Sequence, residues 1–193
     1  MHTELLKLFN GIIPLDKEEE ELMLSNFKPY KLAKGEYFLE AGEVNKFIGF
    51  ITKGLLRYYV IKNLDEATFE FAEEGEFVAD YQSFNNKSKS IQNIQAIEDC
   101  ELLIIDYPSV QHIFNHTKHG NLLGRIIIEH SFDVMVTQLL SIYMQNQEER
   151  YKQFIANYAN LAQRIPQYLI ASYVGIKPES LSRMRKRFAL NNS

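Results

Sequence analysis

The apolar positions change rhythm twice along the chain. Over residues 1–28, Leu5, Leu6, Phe9, Leu22 and Phe27 recur around an acidic stretch from Asp16 to Glu21, a pattern that predicts helix. From residue 29 to about 106 the runs shorten and become rich in Tyr, Phe, Ile and Val, with Gly35, Gly42, Gly49, Gly54 and Gly75 between them. Ile48-Gly49-Phe50-Ile51 and residues 55–61, 67–71 and 102–105 each read as a strand. Many short strands separated by glycine turns predict an antiparallel roll or barrel.

After Pro108 the pattern is helical again, because proline suits a first helical turn. Residues 121–144 are apolar-rich and free of proline. Phe132, Met135, Val136, Leu139 and Tyr143 share a face, and Leu123, Ile126 and Ile127 extend the apolar surface upstream. A helix apolar on more than one side must be covered on more than one side. Packing on the roll covers one face, and a second copy of the chain is expected to cover another through Phe132, Met135, Val136, Leu139 and Tyr143.

Residues 167–187 fill the constrained positions of a helix-turn-helix. Ile170 and Val174 lie one turn apart, Ala171 is small enough for close helix approach, and Gly175 supplies the left-handed end of the first helix. Ile176 plugs the corner and Pro178 starts the second helix, although Lys177 is a poor N-cap. Leu181, Met184 and Phe188 then face inward at i, i+3 and i+7. Lys177, Glu179, Ser180, Ser182, Arg183, Arg185, Lys186 and Arg187 are left for DNA. Arg183 suits a bidentate contact to guanine and Glu179 a cytosine amino group. Ser180, Lys186 and Arg187 suit phosphates, which set position without reading sequence.

Charge supports that reading only when its distribution is considered. The net charge is −4, yet the segment from Lys177 to the end carries +4 and the preceding residues −8. A basic tip on an acidic body is the footprint of a polyanion partner. At 193 residues, 46% hydrophobic and 24% charged, the chain suits one large domain or two modest ones with a real core. No apolar run approaches the ~20 residues that cross a bilayer, and Met1-His2-Thr3-Glu4 does not open a signal peptide. The expected compartment is the cytoplasm.

Candidate chemistry elsewhere is sparse. Cys100 stands alone, which excludes an internal disulfide and an iron–sulphur cluster held by several thiolates. It reads as an inert small residue in or near the core. Glu98-Asp99 flanks a turn, where adjacent side chains diverge. His112, His116 and His119 share a face only if their segment is one helix, and Gly120 with the polar residues 115–118 argues for a break. They read as surface histidines, and no metal site is expected. Glycine-rich phosphate loops, a nucleophile elbow and a His-Glu-x-x-His run are all missing, so an enzyme is not expected.

With the motif and the glycine-punctuated strands in hand, the chain resembles the Crp/Fnr family of transcription regulators over nearly its whole length. Lys34-Gly35-Glu36, Gly42-Glu43 and residues 48–54 look like the family's opening strands and turns. Gly75-Glu76-Phe77 resembles its entry to the effector pocket, and Pro178-Glu179-Ser180-Leu181-Ser182-Arg183 the second helix of Bacteroidetes-type members, as does Glu149-Arg150-Tyr151 ahead of it. The resemblance implies an α+β chain: a cyclic-nucleotide-binding-like β-roll (1–119), a long dimerisation helix (120–145) and a helix-turn-helix domain (146–193). It also implies a homodimer on a pseudo-palindromic operator of double-stranded DNA, contact with RNA polymerase, and an effector pocket at Phe71, Gly75, Glu76, Phe77, Val78, Lys89, Ser90, Ile91, Met135 and Val136.

The departures bear on the effector. Relatives that bind cyclic AMP end the phosphate segment in Arg-Ser, where this chain has Lys89-Ser90-Ile91, and lysine meets a bidentate requirement poorly. Met135 and Val136 replace the polar residues expected against adenine. Cyclic AMP is therefore disfavoured, and the small-molecule effector is left unknown. The residues after Phe188 leave no room for the usual β-hairpin wing, which would raise the importance of Arg185, Lys186 and Arg187. The alternative reading is a nucleotide-like ligand-binding protein whose helix-turn-helix is vestigial or binds protein; it predicts tight ligand binding without salt-dependent DNA affinity.

Overall fold

The computed structural model describes residues 2–191 and divides the chain into two compact units. The first is Met1–Val60 with Phe71–Phe132, the second Ile61–Glu70 with Asp133–Ser193.

In the first unit the N-terminal helices are α1 (His2–Ile12) and α2 (Lys17–Asn26), broken apart at Pro14. Asp16 opens α2 through a capping box, accepting from the Glu19 N–H at 3.0 Å while the Glu19 carboxylate accepts from the Asp16 N–H at 3.1 Å. That backbone hydrogen bond, with the Lys118 ammonium beside it, holds the Asp16 carboxyl below the usual range. Strands β1 (Lys28–Leu32), β2 (Tyr37–Leu39), β3 (Phe47–Lys53), β4 (Leu56–Lys62), β5 (Asp65–Ala72) and β6 (Phe77–Val78) follow. After the short α3 (Tyr81–Asn86) come β7 (Asn93–Ala96) and β8 (Cys100–Asp106). They form two antiparallel sheets, ordered β1-β8-β3-β6 and β2-β7-β4-β5. The four strands read from the sequence are the long members, β3, β4, β5 and β8.

The central strands of the first sheet, β3 and β8, are apolar on both faces. Phe50, Leu103 and Ile105 point to one side and pack with Leu5, Phe9 and Ile13 of α1, Met23 of α2, and Phe27. Helix α4 (Tyr107–His116) and the first turns of α5 (Gly120–Met144) complete that core with Ile113 and Leu123. On the other side Val78 and Leu102 meet Phe38 of β2 around Gly49, which closes the roll. Asp106 caps α4 by accepting from the Ser109 N–H at 2.9 Å, with Pro108 in the first turn. The α4–α5 break falls where the sequence places it, so His112 and His116 share a helix and His119 lies beyond it.

In the second unit, the β4–β5 hairpin tip turns at Asn63 and Leu64, both with positive φ, 54° and 70°, as a two-residue hairpin turn of primed type requires. Helices α6 (Gln147–Asn157), α7 (Gln167–Val174) and α8 (Pro178–Asn191) make up the rest with the distal half of α5. α6 carries a second capping box, Asn146 with Glu149. Ser172 of α7 donates to the Glu66 carbonyl at 2.6 Å and accepts from the Thr68 N–H at 2.9 Å, so the hairpin tip is held on α7.

Two tests follow from the corner at Cys100. A Cβ at Gly54, where φ is +100°, would lie 2.6 Å from the Cys100 sulphur and 2.7 Å from the Asp99 carbonyl oxygen. Gly54→Ala should lower stability by about 3 kcal/mol, read as a fall in thermal and urea midpoints. Cys100 is buried, and desolvation pushes its thiol up to about 11. The folded value exceeds the unfolded one, so the neutral thiol's contribution is present below pH ~9 and lost as pH rises towards 11. Wild type should therefore lose more stability between pH 8 and pH 11 than Cys100→Ala; equal losses would dismiss the linkage.

Candidate functional site

The corner between α7 and α8 is built as the sequence pattern requires. Gly175 ends α7 at φ 81°, ψ 37°, and its N–H donates to the Ala171 carbonyl at 2.9 Å. The Ile176 N–H returns to that same carbonyl at 2.9 Å, a reversal only a left-handed residue closes without strain. Leu169, Ile170, Ala171, Val174 and Leu181 are buried between the helices, Met184 and Phe188 half-buried. The Lys177 carbonyl accepts from Ser180 and Leu181 to start α8 without a side-chain cap.

Lys177, Glu179, Ser182, Arg183, Arg185, Lys186 and Arg187 are exposed on that helix, and Ser180 is half-buried. Arg183 lies against the Ser180 hydroxyl at 3.3 Å. Arg187 instead donates to the Glu148 carboxylate of α6 at 2.7 Å. Gln167, Pro178, Leu181, Ser182, Arg185 and Lys186 line a shallow groove where α8 begins. Arg185 and Lys186 supply its cations, so the groove suits an anion of a polymer backbone more than an enclosed small molecule.

Helix α6 holds this corner from below, a role the sequence reading missed. The Arg150 guanidinium donates to the Tyr173 carbonyl at 2.6 Å, next to the Gly175 turn, and its charge also complements the C-terminal end of α7. Tyr151 stacks on Phe188 at 5.8 Å, while Phe154, Tyr158 and Tyr173 form an aromatic cluster with centroids 5.3–5.9 Å apart. Burial raises the phenol pKa of Tyr151 and Tyr173, keeping both neutral. The Glu149-Arg150-Tyr151 run was a signal for this helix, but only contacts reveal that Arg150 works as a C-cap in trans.

The roll residues predicted for an effector separate by face. Phe71 is buried in β5 and Gly75 turns at φ 91°. The Glu76 carboxylate accepts from the Glu73 N–H at 2.9 Å, and burial raises its pKa. Phe77 stacks on Phe9 and tilts against Phe50, so it belongs to the helix-covered core, whereas Val78 faces the roll interior. Lys89 is exposed and Ile91 is 84% exposed; Ser90 alone of the three turns inward. In the second unit Met135 is exposed and Val136 half-buried on α5.

Ser90 closes a network of buried side chains. Its hydroxyl donates to Asp80 Oδ2 at 2.7 Å, and Asp80 Oδ1 accepts from the Ser83 N–H at 3.1 Å. Asn45 Oδ1 accepts from the Asp80 N–H, and the Asn45 N–H donates to Ser83 Oγ at 2.9 Å. The Ala79 N–H donates to the Tyr58 hydroxyl at 3.1 Å, with Tyr58 and Phe84 both buried. The network is closed among side chains and backbone groups of the roll and holds one carboxylate, that of Asp80.

Two further groups stand apart from these sites. Arg57 is buried on the opposite face of β4 from Tyr58, donating to Gln95 Oε1 at 2.7 and 3.2 Å and lying 4.1 Å from the Tyr59 ring. A single arginine in a strand-like run gave no sign of this. His112 and His116 have ring centroids 4.1 Å apart, and His116 Nδ1 bonds the His112 carbonyl at 2.9 Å. Among the described residues no group of three or more metal-ligating side chains occurs, and no helix is long and apolar enough to cross a membrane.

Arg150→Met should leave the Tyr173 carbonyl without its charged donor and cost about 2 kcal/mol. The check is a lowered thermal midpoint together with loss of protection at the amides of 174–177 in hydrogen exchange. An unchanged exchange pattern would show that Gly175 closes the corner by itself.

Residues 29–117 match the family described as Cyclic nucleotide-binding domain. Among solved structures, the chain is similar to FixK2 from Bradyrhizobium japonicum, at 15% identity, TM-score 0.70 and 86% coverage of each chain. It is also similar to a transcriptional regulator of the crp/fnr family from Eubacterium rectale, at 18% identity and TM-score 0.67, covering 94% of this chain and 88% of that one. The Catabolite Activator Protein of Thermus thermophilus aligns at 18% identity and TM-score 0.57, over 92% and 85%. The comparison with curated proteins found no match. Residues 29–117 are thus similar to the Cyclic nucleotide-binding domain family, and the fold is shared with a regulator described as of the crp/fnr family.

Proposed function

We propose that this protein is a sequence-specific DNA-binding transcription regulator that acts as a homodimer in the cytoplasm and catalyses no reaction. The observation that carries the reading is helix α8, whose N-terminal two and a half turns expose Glu179, Ser182, Arg183 and Lys186 beyond a tightly closed corner. A helix so mounted fits a major groove with its N-terminal part toward the bases. Arg183 reads guanine and Glu179 cytosine, while Lys177, Ser180, Arg185 and Lys186 engage phosphates, and Arg187 does so to the extent that Glu148 releases it.

The homodimer reading is supported by α5. Ile128, Phe132, Met135, Leu139 and Ile142 recur at intervals of four, three, four and three residues and are 38–57% exposed. That is the seam spacing of a two-stranded coiled coil. Covering one such side chain contributes about 1–1.5 kcal/mol. Ten of them contribute on the order of 10–15 kcal/mol, comparable with an association cost of about 4–15 kcal/mol, so the seam is of the size a dimer needs. Two α8 helices would then meet half-sites about 34 Å apart on a pseudo-palindromic operator. The three functional regions are a sensor roll (1–119), a dimerisation helix (120–145) and a DNA-binding region (146–193). RNA polymerase is the partner through which such a regulator would act.

In this reading the effector is not a cyclic nucleotide, because Lys89-Ser90-Ile91 offers no guanidinium to a cyclic phosphate and Lys89 and Ile91 are exposed. Calorimetric titration with cyclic AMP and cyclic GMP should give no heat of binding; micromolar affinity for either would reverse this part of the proposal.

Selection of bound DNA from a random pool, without added ligand, should enrich an inverted repeat. On that site Arg183→Ala should cost about 1–3 kcal/mol and relax preference at one base per half-site. Lys186→Ala should weaken all sequences alike and flatten the salt slope by about one unit per monomer. Identical behaviour of the two variants would refute the division into readers and anchors. Leu139→Glu should convert the dimer to monomer in sedimentation velocity.

A further inference from the structure

Among the exposed cations of α8, Arg187 differs from Arg183 in what holds it. Arg183 rests on a neutral hydroxyl, whereas Arg187 Nη2 donates to Glu148 Oε2 at 2.7 Å. The other oxygen of Glu148 faces a second cation, Lys152 Nζ at 3.4 Å, one turn along α6. Both oxygens of one carboxylate are thus engaged by cations that would otherwise be open to a phosphate. None of the three side chains is deeply buried: Glu148 is 39% exposed, Arg187 59% and Lys152 60%.

The carboxylate is also well placed to hold its position. The Glu148 N–H donates to the Asn146 cap at 2.9 Å, which fixes the first turn of α6. Arg150 and the Tyr151–Phe188 stack tie the following turn to α7 and α8. Glu148 therefore faces the recognition helix through the packing of the unit and not through its own ion pair.

A carboxylate and a phosphodiester each carry one negative charge and accept from a guanidinium in the same fashion. We propose that Glu148 is an internal competitor for DNA, holding Arg187 in place of a backbone phosphate and thereby limiting affinity for duplexes of any sequence. This rests on the DNA-binding reading of α8. An exposed pair is weak, so the competition is a modest one, on the order of a few-fold in affinity. A restraint of this kind acts on anchoring and leaves base reading by Arg183 untouched. It lowers non-specific binding, which phosphate contacts dominate.

The removal of any negative charge near DNA would strengthen binding, so the decisive measurement is the coupling between two substitutions. Full-length wild type, Glu148→Gln, Arg187→Gln and the double variant are titrated by fluorescence anisotropy against a short duplex of arbitrary sequence at several salt concentrations. Expected are roughly three- to fivefold tighter binding for Glu148→Gln and a salt slope steeper by about 0.9 per monomer. Arg187→Gln should cost less than about twofold alone, yet remove nearly the whole gain in the Glu148→Gln background. Equal costs of Arg187→Gln in both backgrounds would show that Glu148 acts only as a diffuse charge and would overturn the proposal. Salt-dependent binding by wild type with no change in Glu148→Gln would overturn it too, leaving the DNA-binding reading intact. If no variant binds duplex, that reading fails and the competition with it. Glu148→Asp, which shortens the reach to Arg187 but keeps the charge, should fall between wild type and Glu148→Gln; binding equal to wild type would count against a geometric contact.

Discussion

Strand β8 is apolar on both faces, and covering both is the constraint from which the first unit follows. Leu103 and Ile105 require one cover, Leu102 and Ile104 another, and all four are buried. Burying a large aliphatic side chain contributes about 1.5–3 kcal/mol, so neither face can be left to solvent. The helices α1, α2 and α4 meet the first need and the second sheet meets the other. The roll interior is accordingly packed by Phe38, Tyr58 and Phe84, and its polar atoms find partners within the protein.

The second unit depends on a different principle, closure of a backbone corner. Gly175 turns the chain, Arg150 satisfies a carbonyl at the turn, and apolar contacts from Ile170, Val174 and Leu181 fix the angle. Specificity in the proposed function comes from a few exposed side chains on α8, but their placement is a property of α6 and α7. The division matches the energetics. Exposed ion pairs contribute little to stability, so the charged surface is free to serve recognition while the buried corner carries the fold.

Much of this was legible in the sequence because period and turn chemistry report local structure. The strands β3, β4, β5 and β8, the α4–α5 break and the buried Ile170, Ala171, Val174 and Leu181 of the helix-turn-helix carry such signals. Ile176, Met184 and Phe188, read as inward-facing, are half-buried, and the sequence pattern does not single out the buried Leu169 and Tyr173. Other features are settled only by contacts between distant residues. Short strands such as β2, β6 and β7 have too few positions to show alternation. Phe77, part of a run resembling an effector-pocket entry, packs with Phe9 because β6 pairs beside β3 and presents that side to the helices. Asp80 and Ser90 lie ten residues apart, and their pairing depends on α3 folding the intervening chain. Arg187 read as a phosphate anchor from charge alone; its neighbour Glu148 comes from another helix, thirty-nine positions earlier.

The second unit is discontinuous in the chain, since residues 61–70 belong with residues 133–193. Ser172 joins the two pieces through Glu66 and Thr68, across more than a hundred residues. During synthesis the hairpin tip therefore leaves the ribosome long before the helix that receives it. Loop closure over that length makes this contact a late event in folding. Until α7 arrives, the Thr68 N–H and the Glu66 carbonyl are without the Ser172 hydroxyl that engages both in the folded unit, so the hairpin tip is held only after the C-terminal helices form.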